Sequence, residues 1–171
     1  MSGARILVIT GPGKGKTTAA LGMILRAHAH GRTVLLARFC KNSFSGELAV
    51  LGKLPGVTIR NSECGMTPPP DHPDFARHLQ CARDLFAWAV ENAPEFDTVV
   101  LDELCGAVAK DLVPEGDVVE FLGRLRPEQA AVLTGRGATP GLIDAADTVS
   151  DIHCVKHGYQ QGIAAQEGIE R

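Results

Sequence analysis

The run Thr10-Gly-Pro-Gly-Lys-Gly-Lys-Thr-Thr18 sets glycines at alternate positions, each of the last two followed by a lysine. Glycines 11, 13 and 15 open backbone conformations closed to other residues, so successive N–H groups can converge on an anion. A helix starting near Lys16 would put its positive end at the same place. Lys16 then supplies a point charge to the outer phosphates of a nucleotide, and the Thr17 hydroxyl can ligate magnesium. The spacing matches G-x-x-x-x-G-K-[ST] with Thr10 at the first glycine, so Thr10, Gly11, Pro12, Gly13, Lys14, Gly15, Lys16, Thr17 and Thr18 form a candidate site for the triphosphate of ATP with Mg2+.

A second acidic element answers the loop. Thr98-Val-Val-Leu-Asp-Glu103 is an apolar run closing in two carboxylates, as expected of a strand that brings Asp102 or Glu103 to the metal directly or through water. Further cations follow other apolar runs: Arg136 in Thr134-Gly-Arg-Gly137, Lys156 with His157, and Lys41 with Asn42 and Ser43. Arg136 joins Lys16 and Thr17 as the candidate catalytic set, while Lys41, Lys156 and His157 are candidate polyphosphate contacts. His28, His30, His72, His78 and His153 have no metal-ligand spacing. No histidine or carboxylate is marked as a general base, which suits a nucleophile that has no proton to lose. A nucleotide kinase, a hydrolytic NTPase and a non-catalytic ATP-dependent binding protein all remain compatible with the loop alone.

The elements needed to position these residues are legible as alternating patterns. Apolar, β-branched runs at Arg5 to Thr10, Thr33 to Phe39, Val57 to Asn61, Thr98 to Leu101, Ala130 to Thr134 and Thr148 to Val155 read as buried strands. Helical periodicity covers Lys16 to His30, ending at Gly31, then Asp74 to Asn92 with Leu79, Ala82, Leu85, Phe86 and Ala89 on one face, and Asp117 to Leu125. Strands alternating with helices predict an α/β fold with a mostly parallel sheet and helices on both faces. Prolines 68, 69, 70 and 73 make Cys64 to Pro73 a stiff loop, placed to border a ligand.

Composition sets the outer limits. A chain of 171 residues fits one domain, residues 1–171. A formal net charge of -3 leaves no broad basic footprint for nucleic acid or an anionic membrane, and no run is long and apolar enough for a signal peptide or a spanning helix. The five cysteines are scattered without a C-x-x-C pair, which predicts neither a disulfide framework nor a zinc site and points to the reducing cytoplasm.

Taken together, Gly11-Pro-Gly-Lys-Gly-Lys-Thr-Thr-Ala-Ala-Leu-Gly22, Val99-Val-Leu-Asp-Glu-Leu104, Leu133-Thr-Gly-Arg-Gly137, Ile143-Asp-Ala-Ala-Asp-Thr-Val149, Val155-Lys-His157 and Ala165-Gln-Glu-Gly-Ile169 closely resemble the P-loop type ATP:cob(I)alamin (corrinoid) adenosyltransferases. The resemblance covers nearly the whole chain in order. It implies a recombinase-like P-loop fold, a homodimer, and transfer of the 5'-deoxyadenosyl group of ATP to the Co(I) of a reduced corrinoid with release of triphosphate. It also implies a reductase partner that delivers Co(I), and magnesium shared between Thr17 and the Asp102-Glu103 strand end. Where family members carry a G-F-T-W segment that shields the lower face of cobalt, this chain has Cys64-Gly-Met-Thr-Pro-Pro-Pro70, so Met66 is the expected apolar contact to the corrinoid. The N-terminal extension that helps cover the corrinoid in longer members has no counterpart before Arg5, and a more open or partner-completed site is expected.

Overall fold

The computed structural model describes residues 3–41 and 45–169, so the expectations for Asn42 and Ser43 lie outside the described residues. Six strands, β1 (Arg5–Thr10), β2 (Val34–Arg38), β3 (Val57–Asn61), β4 (Thr98–Asp102), β5 (Ala130–Thr134) and β6 (Thr148–Asp151), form one sheet in the order β3-β2-β4-β5-β1-β6. Every pairing in it is parallel. Each connection is therefore a crossover, and the helices fall on the two faces of the sheet.

Strand periodicity decides which face each helix covers. Leu36, Val100 and Val132 point to one side with Ile9, where Ala20 and Ile24 of α1 (Lys16–Ala29) and Leu48 and Leu51 of α2 (Gly46–Leu51) close over them. Leu35, Ala37, Val99, Leu101 and Leu133 point to the other side. There they meet Ala82, Leu85, Phe86 and Ala89 of α3 (Phe75–Asn92), together with α4 (Leu104–Val108), α5 (Glu115–Gly123) and α6 (Pro140–Asp144). Phe86 and Phe121 meet edge to face at 5.9 Å and tie α3 to α5.

Three sequence expectations need correction. The strands at the two edges are not buried: β6 is exposed along its length and β3 only half-buried, because each has a neighbour on one side alone. β6 also stops at Asp151 rather than Val155, since the chain leaves the sheet to cross the loop after β1. There Ile152 N–H donates to the Thr10 carbonyl (2.9 Å) and Gly13 N–H to the Ile152 carbonyl (2.7 Å). Finally, Cys64 and Cys81 form a disulfide across a Cα–Cα distance of 6.1 Å. No short cysteine spacing announces it, because packing of the proline-rich loop against α3 brings the two together. The short helices α2, α4 and α6 were not foreseen; five or six residues are too few to show a periodicity.

Asp97 anchors the far end of the sheet. Its carboxylate accepts from Thr33 N–H at 2.8 Å and Thr33 hydroxyl at 3.0 Å, tying the start of β2 to the start of β4. The Thr33 backbone and hydroxyl hydrogen bonds hold the Asp97 carboxyl below its ordinary range. A carboxylate depressed in the folded state stabilises above its unfolded pKa, and that contribution disappears as pH falls through the folded value. Asp97→Ala is therefore expected to lower stability by about 1 to 3 kcal/mol at neutral pH. Urea denaturation should show the gap between parent and variant closing as the pH falls below the usual aspartate range.

Candidate functional site

The carboxyl ends of β1, β4 and β5 lie side by side, and the candidate residues gather there. Gly15 turns the chain into α1 in the left-handed region (φ 114°), with no side chain capping the helix. The N–H groups of the first turn are thus left for an anion. Gly11 (φ 98°) and Gly13 have a second reason to be glycine. A Cβ on Gly11 would collide with the Asp151 side chain and come within 2.5 Å of the Ile152 carbonyl oxygen, and one on Gly13 would lie 2.7 Å from that same oxygen. The loop is clamped beneath the segment that follows β6.

Lys16 folds back over this loop. Its ammonium donates to the carbonyls of Gly13 at 2.6 Å and Gly11 at 2.8 Å and is almost wholly buried. Burial pushes its pKa below the ordinary lysine value, Glu103 counters this, and the nearby cations Arg136 and Lys41 add to the lowering. An anionic phosphate would restore what burial removes.

Asp102, 1% exposed, is the hub of the site. One carboxylate oxygen accepts from the hydroxyls of Thr134 at 2.7 Å and Thr17 at 2.9 Å. The other accepts from the Lys41 ammonium at 2.9 Å and faces the Arg38 guanidinium at 3.7 Å. Lys41 also donates to the Thr17 hydroxyl at 2.8 Å, so one ammonium bridges the loop threonine and the strand-end carboxylate. Glu103 follows in a left-handed conformation (φ 64°), its N–H held by the Thr134 hydroxyl at 2.9 Å and its carboxylate 3.7 Å from Lys41. A non-glycine residue in that region persists only where its surroundings over-determine it.

Arg38 and Thr134 are site residues that sequence reasoning missed as partners of Asp102. The available signal was a charge or hydroxyl closing an otherwise apolar buried strand, at the same level as Asp102 on its two neighbours. Arg38 Nε is buried without a hydrogen bond, and its role beside Asp102 is electrostatic.

Beyond the loop lies an open cavity of about 690 Å³ between Pro12 and Arg136 on one side and His157, Tyr159, Ile163 and Ile169 of the C-terminal segment on the other. That size falls in the range of small-molecule sites. Lys14 donates to the Ile169 carbonyl at 2.8 Å, linking the loop to the same segment. Thr10 is buried, and its hydroxyl accepts from Ala138 N–H at 3.2 Å; Thr18 is exposed on α1. Two expected contacts are not brought in: Lys156 is exposed and absent from the cavity wall, and Met66 is 85% exposed. The Met66 loop nonetheless borders the site, because the Thr67 hydroxyl sits 3.3 Å from Cys40 Sγ, next to Lys41.

The donors that meet here, a hydroxyl and two carboxylates, are hard oxygens of the kind magnesium takes alongside phosphate and water, so the residues fit that ion. Among the described residues no cluster of three or more His, Cys, Asp or Glu offers a cage for a softer metal.

Comparison with known proteins converges on the same reading. The family model described as ATP:corrinoid adenosyltransferase BtuR/CobO/CobP matches residues 3–171. The corrinoid adenosyltransferase CobA of Salmonella typhimurium is 36% identical, over 96% of this chain and 84% of its own length. The corrinoid adenosyltransferase of Escherichia coli K12 is 35% identical over the same shares, and that of Pseudomonas aeruginosa 37% identical over 96% of this chain and 82% of its own. A match that runs from Gly3 to the last residue, with relatives alike over most of both chains, means that this chain belongs to the ATP:corrinoid adenosyltransferase family.

Proposed function

We propose that this protein transfers the 5'-deoxyadenosyl group of ATP to the Co(I) of a reduced corrinoid and releases triphosphate. One observation carries the reading: the Lys16 ammonium is folded into the glycine loop while the Thr17 hydroxyl that follows it donates to the strand-end carboxylate of Asp102, in a chain that matches the family from residue 3 to 171. In the reaction the electron pair of Co(I) forms the cobalt–carbon bond as the bond from C5' to the triphosphate oxygen breaks. The nucleophile loses no proton, so the site needs no base. Its work is to orient the ribose carbon and stabilise the departing negative charge.

Within this proposal the residues of Thr10 to Thr18 cradle the triphosphate, with Lys16 as the internal cation. Arg136, at the cavity wall and close enough to Lys16 to influence its charge, supports the departing phosphates together with His157. Magnesium is proposed to be held by Thr17 with Asp102 and Glu103, where it would neutralise charge on the leaving group. One domain, a homodimer and a reductase partner complete the reading. The exposed apolar side chains Val155, Tyr159 and Ile163 of the C-terminal segment support a partner surface on that side. No described helix is long and apolar enough to cross a membrane. The cytoplasm is proposed from the substrates, a reducing setting in which the Cys64–Cys81 bond is open to reduction.

Incubation with ATP, magnesium and chemically reduced corrinoid tests the proposal. Loss of the Co(I) spectrum with stoichiometric triphosphate is expected, whereas ADP as product would assign a kinase or hydrolase instead. The corrin-facing role of the loop has its own test. Met66 is an exposed apolar side chain on the loop whose next residue, Thr67, reaches Cys40, and an apolar wall favours the four-coordinate cobalt that is easiest to reduce. Met66→Asp should depress the rate several-fold at unchanged ATP affinity, and Met66→Phe should preserve it. Equal rates in both folded variants would move the corrinoid contact elsewhere.

A further inference from the structure

Asp102 faces two cations that differ in kind. Arg38 is the last residue of β2, its side chain 4% exposed and so enclosed by its neighbours. Lys41 lies beyond the strand end, 26% exposed, on a flexible four-carbon stem. Its ammonium takes a lone pair of the Thr17 hydroxyl, whose single proton already goes to Asp102, and it takes the Asp102 oxygen that Thr17 and Thr134 leave open. These are the oxygens a divalent ion would need. Arg38 with Lys41 balances Asp102 with Glu103 in formal charge, so the four side chains are neutral together before any ligand arrives.

We propose that Lys41 is a resident cation that holds the magnesium position in the nucleotide-free protein, is displaced when metal and nucleotide bind together, and thereby sets the divalent-cation requirement. The inference rests on the ATP and magnesium reading above and deepens it. A divalent ion on Thr17 shares that oxygen with an ammonium now 2.8 Å away, and like charges at such separations repel strongly where water is scarce. Lys41 must therefore swing aside, toward Glu103, 3.7 Å distant, or toward the outer phosphates. The exchange makes the site selective. A bare divalent ion competes with the ammonium and is resisted. The metal–nucleotide complex brings phosphates that give the displaced ammonium a new partner.

The test measures ATP affinity by calorimetry across a magnesium series, and Mn2+ alone by the loss of its free-ion resonance signal, in the parent and in Lys41→Met, Lys41→Gln and Lys41→Arg. Removing the charge in the Met and Gln variants should lower the magnesium concentration for half-maximal ATP binding by on the order of tenfold. It should also raise affinity for Mn2+ in the absence of nucleotide, and Lys41→Arg should remain close to the parent. An unchanged or increased magnesium requirement in the two neutral variants, or unchanged Mn2+ affinity, overturns the proposal. If the parent itself binds ATP with no dependence on divalent ions, the magnesium reading fails, and this inference fails with it by a different and recognisable result.

Discussion

Lys16→Ala is expected to weaken ATP binding by on the order of a hundredfold, about 2 to 3 kcal/mol, the usual scale of a charge-assisted contact to phosphate. The side chain is almost wholly buried and already aimed into the loop, with its ammonium on the Gly11 and Gly13 carbonyls, so little ordering entropy remains to be lost when phosphate arrives. The same geometry predicts a pH dependence. Burial lowers the lysine pKa in the free protein, and a bound triphosphate raises it again, so binding takes up a proton in the window between the two values. ATP affinity should then decline as pH rises through the lowered free-protein value, still below the ordinary lysine range, and Lys16→Ala should lose that part of the decline. Calorimetry on the folded variant checks both points. Unchanged affinity would remove Lys16 from the phosphate site.

How far the chain could be read in advance depended on how local each determinant was. The phosphate loop is contiguous, its glycines and Lys16 lie within a few residues, and the strand before and helix after it appear in the sequence as changes of period. The long helices and central strands were legible for the same reason, with boundaries within about two residues. What escaped was non-local. The edge positions of β3 and β6 depend on strand order, which no run of residues encodes, and an edge strand can be as β-branched as a central one. The Cys64–Cys81 pair depends on where a proline-rich loop lands on α3. Arg38 and Thr134 meet at Asp102 only because β2 and β5 flank β4, so each residue was visible and their common target was not. The expectation for Met66 rests on its position in a family segment, whereas its exposed side chain belongs to a loop whose conformation prolines restrict without specifying.

Asp102→Ala is expected to be the most destabilising single change at the site, by about 3 to 5 kcal/mol. The carboxylate is 1% exposed and holds two hydroxyls, an ammonium and a guanidinium. Its removal leaves Arg38, 4% exposed, without a carboxylate: its Nε has no hydrogen bond and a terminal nitrogen donates only to the neutral Asn61 side-chain oxygen at 3.5 Å. Lys41, partly exposed, can turn to Glu103 or to water and loses less. The damage is therefore mainly an uncompensated guanidinium, which yields a specific expectation. Adding Arg38→Met to Asp102→Ala should recover stability by about 1 to 3 kcal/mol, whereas adding Lys41→Met should recover little. Glu103→Gln, on a side chain 29% exposed, should fall within about 1 kcal/mol of the parent. Urea denaturation of the five proteins decides the matter. Equal recovery from the two second substitutions would mean that Asp102 compensates Lys41 as much as Arg38, and the division into a fixed and a displaceable cation would not stand.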